Sequence, residues 1–236
     1  MQFVMSLVFT VFMMVFTLFW GVVYCVVCPF LPWRGRFRMA GAMTQVVFFG
    51  LRVFCGLRYT VEGRENLPEG NHVIFMKHSS TWETYAIMTL FPPLVWVMKR
   101  EILWIPFVGW GCLLARCIAI NRKGGASAVN QVLAQGKQRL EKLGAWILVF
   151  PEGTRMAPGE TRRYGSSGGL LAAQENRKIV PVAHNAGYFW PRRGLLKKRG
   201  TIRVVIGPPI EAAGRDVRDV NEEVQRWIEA NVRAPD

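Results

Sequence analysis

An α/β fold is expected: a mixed or largely parallel sheet flanked by helices, led by an N-terminal apolar helical membrane anchor. Three features of this 236-residue chain point to it. Short apolar runs bounded by Gly, Pro or charge alternate with longer stretches whose apolar residues recur three and four apart, as when strands alternate with helices. Residues 1–33 carry no charged side chain. The formal net charge of +14 therefore belongs entirely to the rest of the chain.

The anchor comes first. A bilayer-spanning helix needs about 20 apolar residues, so residues 1–33 are long enough to span or to lie tilted. A cleaved signal peptide is the competing reading, but it calls for a basic start and a small-residue cleavage site. Met1-Gln2-Phe3 is not basic, and Tyr24-Cys25-Val26-Val27-Cys28 is no such site. Arg34, Arg36 and Arg38 follow directly and suggest that the end of the run faces the cytoplasm. Residues 39–57 form a second apolar block, broken by Gln45 and Arg52, which reads as a helix at the membrane interface or packed on the first. An ordinary buried helix fits it nearly as well.

Residues 1–58 are thus expected to be membrane-associated helices and 59–236 an α/β domain. Within the domain, strands are expected at 72–76, 94–98, 117–120, 146–150, 179–183 and 202–206. Helices are expected at 81–90, 126–143, 168–175 and 219–232.

A basic domain suits nucleic acid, an anionic membrane surface, or acidic substrates and partners. The anchor favours the membrane, and no RNA-binding signature or zinc-finger spacing is present, so nucleic acid is not an expected partner. Cys25 and Cys28 form a C-x-x-C, but inside an apolar run without His or charge. They read as small core residues. The odd number of cysteines, five, suits reduced thiols and a cytoplasmic catalytic face.

Two segments carry candidate chemistry. His78 closes an apolar run and Glu83 falls in the first turn of the next helix, so the carboxylate can bond one ring nitrogen and leave the other as a base. Ser80-Thr81-Trp82-Glu83 is equally a capping box, in which Glu83 accepts only a backbone amide. Phe150-Pro151-Glu152-Gly153-Thr154-Arg155 follows another apolar run and ends on a planar phosphate-binding group. Pro-Glu-Gly alone carries no signal, since Pro68-Glu69-Gly70 repeats it in what reads as a plain turn. Arg122 ends the run 117–121 and could add a second cation, or simply be a solvated strand-end Arg. Gly165-Ser166-Ser167-Gly168-Gly169 matches the G-x-S-x-G nucleophile elbow, which requires a strand running into it. The basic loop 161–164 is not one.

In combination these segments resemble the 1-acyl-sn-glycerol-3-phosphate acyltransferase family, within the glycerolipid acyltransferases. His78 and Glu83 match the first family block, with Glu where Asp is commoner. Lys99-Arg100-Glu101 through Gly109 to Arg122 looks like the second, 150–155 matches the third, and Val180-Pro181-Val182-Ala183 looks like the fourth. One departure is that no Lys occurs in 164–168, where the family often has one; Arg162 or Arg163 would stand in. The resemblance implies acyl transfer from acyl-CoA or acyl carrier protein to the free hydroxyl of lysophosphatidic acid, giving phosphatidic acid. His78 would be the base and Glu83 its stabiliser. Arg122 and Arg155 would hold phosphate, and Glu152, Gly153 and Thr154 would shape the pocket. No metal or redox cofactor is called for. The implied location is a membrane, with the catalytic domain on its cytoplasmic face, in a bacterium the inner membrane. Rival readings are an acyltransferase for another lysophospholipid head group, a membrane-anchored serine hydrolase using Ser167, and a non-catalytic basic membrane adaptor.

Overall fold

The computed structural model describes residues 1–235. Two long helices lead, α1 (Gln2–Val27) and α2 (Trp33–Cys55). The rest alternates: β1 (Leu57–Glu62), β2 (Val73–Met76), α3 (Trp82–Leu90), β3 (Leu94–Lys99), α4 (Val108–Leu114), β4 (Ile118–Ile120), α5 (Ala126–Leu143) and β5 (Trp146–Val149). There follow α6 (Ser167–Gln174), β6 (Lys178–His184), α7 (Ala186–Phe189), β7 (Gly200–Ile206), β8 (Ile210–Glu211) and α8 (Val217–Asn231). All six expected strands and four expected helices are present, with ends shifted by at most two residues. Four elements were not anticipated: β1, β8, α4 and α7.

The sheet order is β1-β7-β6-β2-β5-β3-β4, with β8 beside β6. β6, β2, β5, β3 and β4 run parallel to their neighbours, while β7 and β8 pair with β6 antiparallel. The sheet is mixed, as expected. Its parallel strands deliver the loops after β2, β4 and β5 to one edge, the C-terminal edge where open α/β sheets bind ligands.

Strand alternation divides the core in two. Val73 and Phe75 of β2 face a layer built by α5, α6 and α8, with Val132, Leu171 and Val224 buried there. Ile74 and Met76 face the other way, onto α1, α2 and α3, among Phe9, Leu51 and Ile87. The helices expected to be a separate membrane segment are thus one of the domain's two helical layers. Burying a Phe or Leu contributes about 1.5–3 kcal/mol, and Phe9 is 0% exposed. The expected boundary at residue 58 also falls inside β1. Arg34, Arg36 and Arg38 lie within α2, where the Arg36 guanidinium bonds the carbonyls of Leu31 and Leu114.

Both ends of α1 are tied to the domain. Gln2 donates to the carbonyls of Cys55 and Lys197, and the Lys197 amide donates to Ser6. At the far end Tyr24 OH donates to the Arg36 carbonyl, and the Cys25 thiol to that of Phe107. Between these ends a row that includes Phe3, Leu7, Met14, Leu18 and Val22 remains exposed. All five cysteines are free.

Candidate active site

His78 leaves the end of β2 and Glu83 enters in the first turn of α3. His78 Nδ1 lies 2.9 Å from Glu83 Oε1, which also accepts the amides of Ser79 at 2.9 Å and Ser80 at 2.7 Å. The capping contact and the dyad are therefore both present, on one oxygen. Glu83 is 0% exposed. Burial opposes its ionisation, but the His78 bond, the neighbouring His184 and the Ser80 amide hold it below the usual carboxylate range. With Nδ1 held by the carboxylate, Nε2 is left as the base. Phe150 fixes the ring plane, stacked on His78 with centroids 4.1 Å apart and planes 20° from parallel.

Register explains why these groups converge. Phe75 sits opposite Val149 on β5 and Pro181 on β6. Three residues beyond each lie His78, Glu152 and His184. The Glu152 carboxylate is directed to a buried cation. The residue is 2% exposed, with Oε1 3.3 Å from the buried ammonium of Lys77. Burial pushes its carboxyl up to about 7, against the pull of Lys77. Lys77 also bonds Glu229 of α8 at 2.7 Å and the Glu160 carbonyl at 2.8 Å. Glu152 thus supports the turn from below. It also lines the smaller cavity described below, together with Gly153.

Gly153 takes φ of 68°, a left-handed value that suits glycine, and the Arg122 guanidinium donates to its carbonyl. The turn separates two cavities. The smaller, about 310 Å³, is lined by Arg122, Gly153, Arg162, Arg163 and Ser167. The larger, about 590 Å³, is lined by Thr154, Arg155, Arg162, Arg192 and Arg193. Arg122 and Arg155 consequently flank one turn without sharing a cavity, and Arg162 borders both. The Arg192 guanidinium donates to the Arg155 carbonyl at 3.1 Å. Arg192, Arg193, Lys77 and His184 were missed by the sequence reading. Only the Pro191-Arg192-Arg193 run carried any visible signal.

Ser167 opens α6 after a loop, and no strand enters the motif. Its glycines serve packing: a Cβ on Gly168 would lie 2.5 Å from the Phe75 ring, and one on Gly169 2.7 Å from Asn221 Oδ1.

Known proteins resemble this chain in sequence and in fold. The Acyltransferase family matches residues 58–185. The chain is 41% identical over 213 residues to a 1-acyl-sn-glycerol-3-phosphate acyltransferase of Pseudomonas aeruginosa, covering 89% of this chain and 82% of that protein. The chain belongs to the 1-acyl-sn-glycerol-3-phosphate acyltransferase family. Proteins of the same name in Saccharomyces cerevisiae (29% over 198 residues) and, as the alpha form, in Homo sapiens (28% over 190 residues) match 81% and 79% of it, spanning 64% and 67% of their own lengths. The crystal structure of the 1-acyl-sn-glycerophosphate acyltransferase PlsC from Thermotoga maritima shares the fold, with TM-score 0.79, 19% identity and coverage of 98% of this chain and 94% of that one. Members of the family are O-acyltransferases of phospholipid synthesis, and so is this protein.

Proposed function

We propose that this enzyme moves the acyl group of a thioester, acyl-CoA or acyl carrier protein, to the free hydroxyl of lysophosphatidic acid, forming phosphatidic acid. The observation that carries the mechanism is the buried His78–Glu83 bond beside an arginine-lined turn. His78 Nε2 takes the proton of the acceptor hydroxyl as its oxygen attacks the thioester carbonyl. Glu83 stabilises the imidazolium, and thiolate leaves when the tetrahedral intermediate collapses. Arg155 holds the acceptor phosphate, Arg122 steadies the turn through the Gly153 carbonyl and adds positive charge from its other flank, and Arg162 and Arg163 supply the charge that a lysine supplies elsewhere in the family. The remaining cations of the larger cavity, Arg192 and Arg193, face the phosphates of the donor.

An apolar cavity of about 120 Å³ between α1, α2, α4 and β3, lined by Trp20, Met43, Met88, Trp96 and Phe107, suits part of an acyl chain. The docking of both ends of α1 on one domain supports an α1 that lies in a single leaflet. The basic catalytic domain then rests on the cytoplasmic surface.

The test is acyl transfer by purified full-length protein in neutral micelles, across a panel of lysolipids and both donors. Lysophosphatidic acid should be preferred. Equal turnover of a capped head group would favour the alternative acceptor, and ester hydrolysis lost in Ser167→Ala would favour a hydrolase. Arg155→Ala should raise KM for the acceptor well above any change for the donor, with Arg122→Ala milder. An equal rise for both would remove Arg155 from the phosphate site. Arg192→Ala with Arg193→Ala should weaken acyl-CoA and leave acyl-pantetheine, which lacks the phosphates, unaffected.

A further inference from the structure

Glu83 is satisfied on one side only. Oε1 accepts three N–H groups, whereas Oε2 is buried without a hydrogen-bond partner. The group that faces it is His184, at the end of β6, whose Nε2 stands 3.9 Å from Oε2. His184 is itself 1% exposed. Its tautomer is set by its neighbours. Nδ1 accepts the Ala186 amide at 3.3 Å, so Nδ1 carries no proton; Nε2 therefore carries it, and donates to the Lys77 carbonyl at 2.8 Å. Burial pushes the imidazole below its ordinary value, which keeps it neutral.

We infer that His184 is a positioning residue for the His78–Glu83 dyad, acting through the Lys77 carbonyl and the free oxygen of Glu83. The inference rests on the reading of His78 as the base. Lys77 is the residue before His78, so the bond to its carbonyl fixes the backbone from which the catalytic ring projects. The same Nε2 stands close to Oε2 without bonding it, so the polar edge of the ring, and not a hydrocarbon, borders the bare oxygen. A buried carboxylate with one bare oxygen is costly to keep ionised, and a neighbouring polar group offsets part of that cost where a hydrocarbon would not.

The titratable groups around this point are few. His78 and the Lys77 ammonium come from the end of β2, Glu83 from α3 and His184 from β6. The ammonium is engaged by Glu152 and Glu229. Removing the N–H leaves the dyad with a higher affinity for protons, so the active form is reached only at higher pH. Trp82, 5.9 Å from the His184 ring, holds the imidazole in place from the α3 side.

The experiment is kcat and KM against pH for the full-length enzyme, with folding followed by thermal unfolding. His184→Leu keeps bulk without the N–H. It should lower kcat about 10- to 100-fold, the scale of an ångström-level misplacement, with both KM values within about twofold. The acid limb of the profile should move upward by about half to one pH unit. His184→Gln, which restores a donor, should recover most of the rate and return the limb. A folded His184→Leu with wild-type rate and limb overturns the inference. So does a rate loss that follows only the loss of folded protein while the limb stays put. If His184→Leu does not fold, His184→Asn, polar but shorter in reach, replaces it and should shift the limb in the same direction; an unshifted limb is again fatal. Retained activity in His78→Ala would instead overturn the base assignment beneath it.

Discussion

Oε1 of Glu83 both caps the chain entering α3 and holds the His78 imidazole, and a single substitution separates the two tasks. The amide oxygen of Glu83→Gln can still accept the Ser79 and Ser80 N–H groups, but it has no charge to offer an imidazolium. Its turnover should approach the loss of about 10²–10⁴ expected for His78→Ala, while its unfolding midpoint stays near wild type. Glu83→Asp should keep substantial activity. Loss of stability without loss of turnover in Glu83→Gln would reduce the pair to a cap. Glu152 offers a pH test. Its carboxyl titrates near 7 in the folded protein against an ordinary 4.5, so between those values the folded state binds the proton that the unfolded chain has released. Stability from this group therefore falls as pH rises through that window. Glu152→Gln does not titrate, and its unfolding midpoint should gain on wild type between about pH 5 and pH 8. A constant difference would deny that the burial of Glu152 is felt.

Among the elements, α6 shows how a motif can mislead. Gly168 and Gly169 allow the helix to sit directly on Phe75 of β2 and Asn221 of α8. Gly168→Ala forces a methyl into a ring and should cost about 1–3 kcal/mol, visible as a lowered unfolding midpoint. Ser167→Ala should leave both stability and transfer intact; its inactivity would revive the hydrolase reading. The unforeseen elements have physical reasons too. β1 follows an apolar helix and carries Arg58 and Glu62. It pairs only with β7, so its alternate residues face solvent. β8 is two residues long, and α4 and α7 are seven and four, too short for a helical period to register.

At the scale of the whole molecule, α1 and α2 form a layer of the fold, and α1 is in addition long and apolar enough to anchor to a membrane. An exposed apolar face of this length is an interaction surface, and a bilayer leaflet is the partner that suits it. High salt shortens the Debye length to about 3 Å at 1 M and releases proteins held by charge alone. This one should stay in the membrane pellet. Complete extraction by salt would show that its basic surface, and not α1, provides the attachment. Because Phe9, Val47 and Leu51 belong to the same core as β2, removing the helices should unfold the domain as well as detach it. Limited proteolysis of the truncated protein reads this directly.

The candidate catalytic groups were legible in the sequence because each is local: a His and a carboxylate five positions apart, and an Arg closing a glycine turn. Strands and long helices were legible for a similar reason, since burial on one face imposes a period of two or of 3.6 on the residues themselves. Strand order carries no such mark. Register between β2, β5 and β6 is what brings His78, Glu152 and His184 to one level, and only the assembled sheet decides that. Tertiary structure also decided that Glu152 turns inward to Lys77 and that Arg122 and Arg155 divide between two cavities. It decided as well that the apolar N-terminus lies along the domain. Each of these depends on contacts between residues far apart in the chain, chosen by packing and by the need to pair buried charge, and no local pattern encodes them.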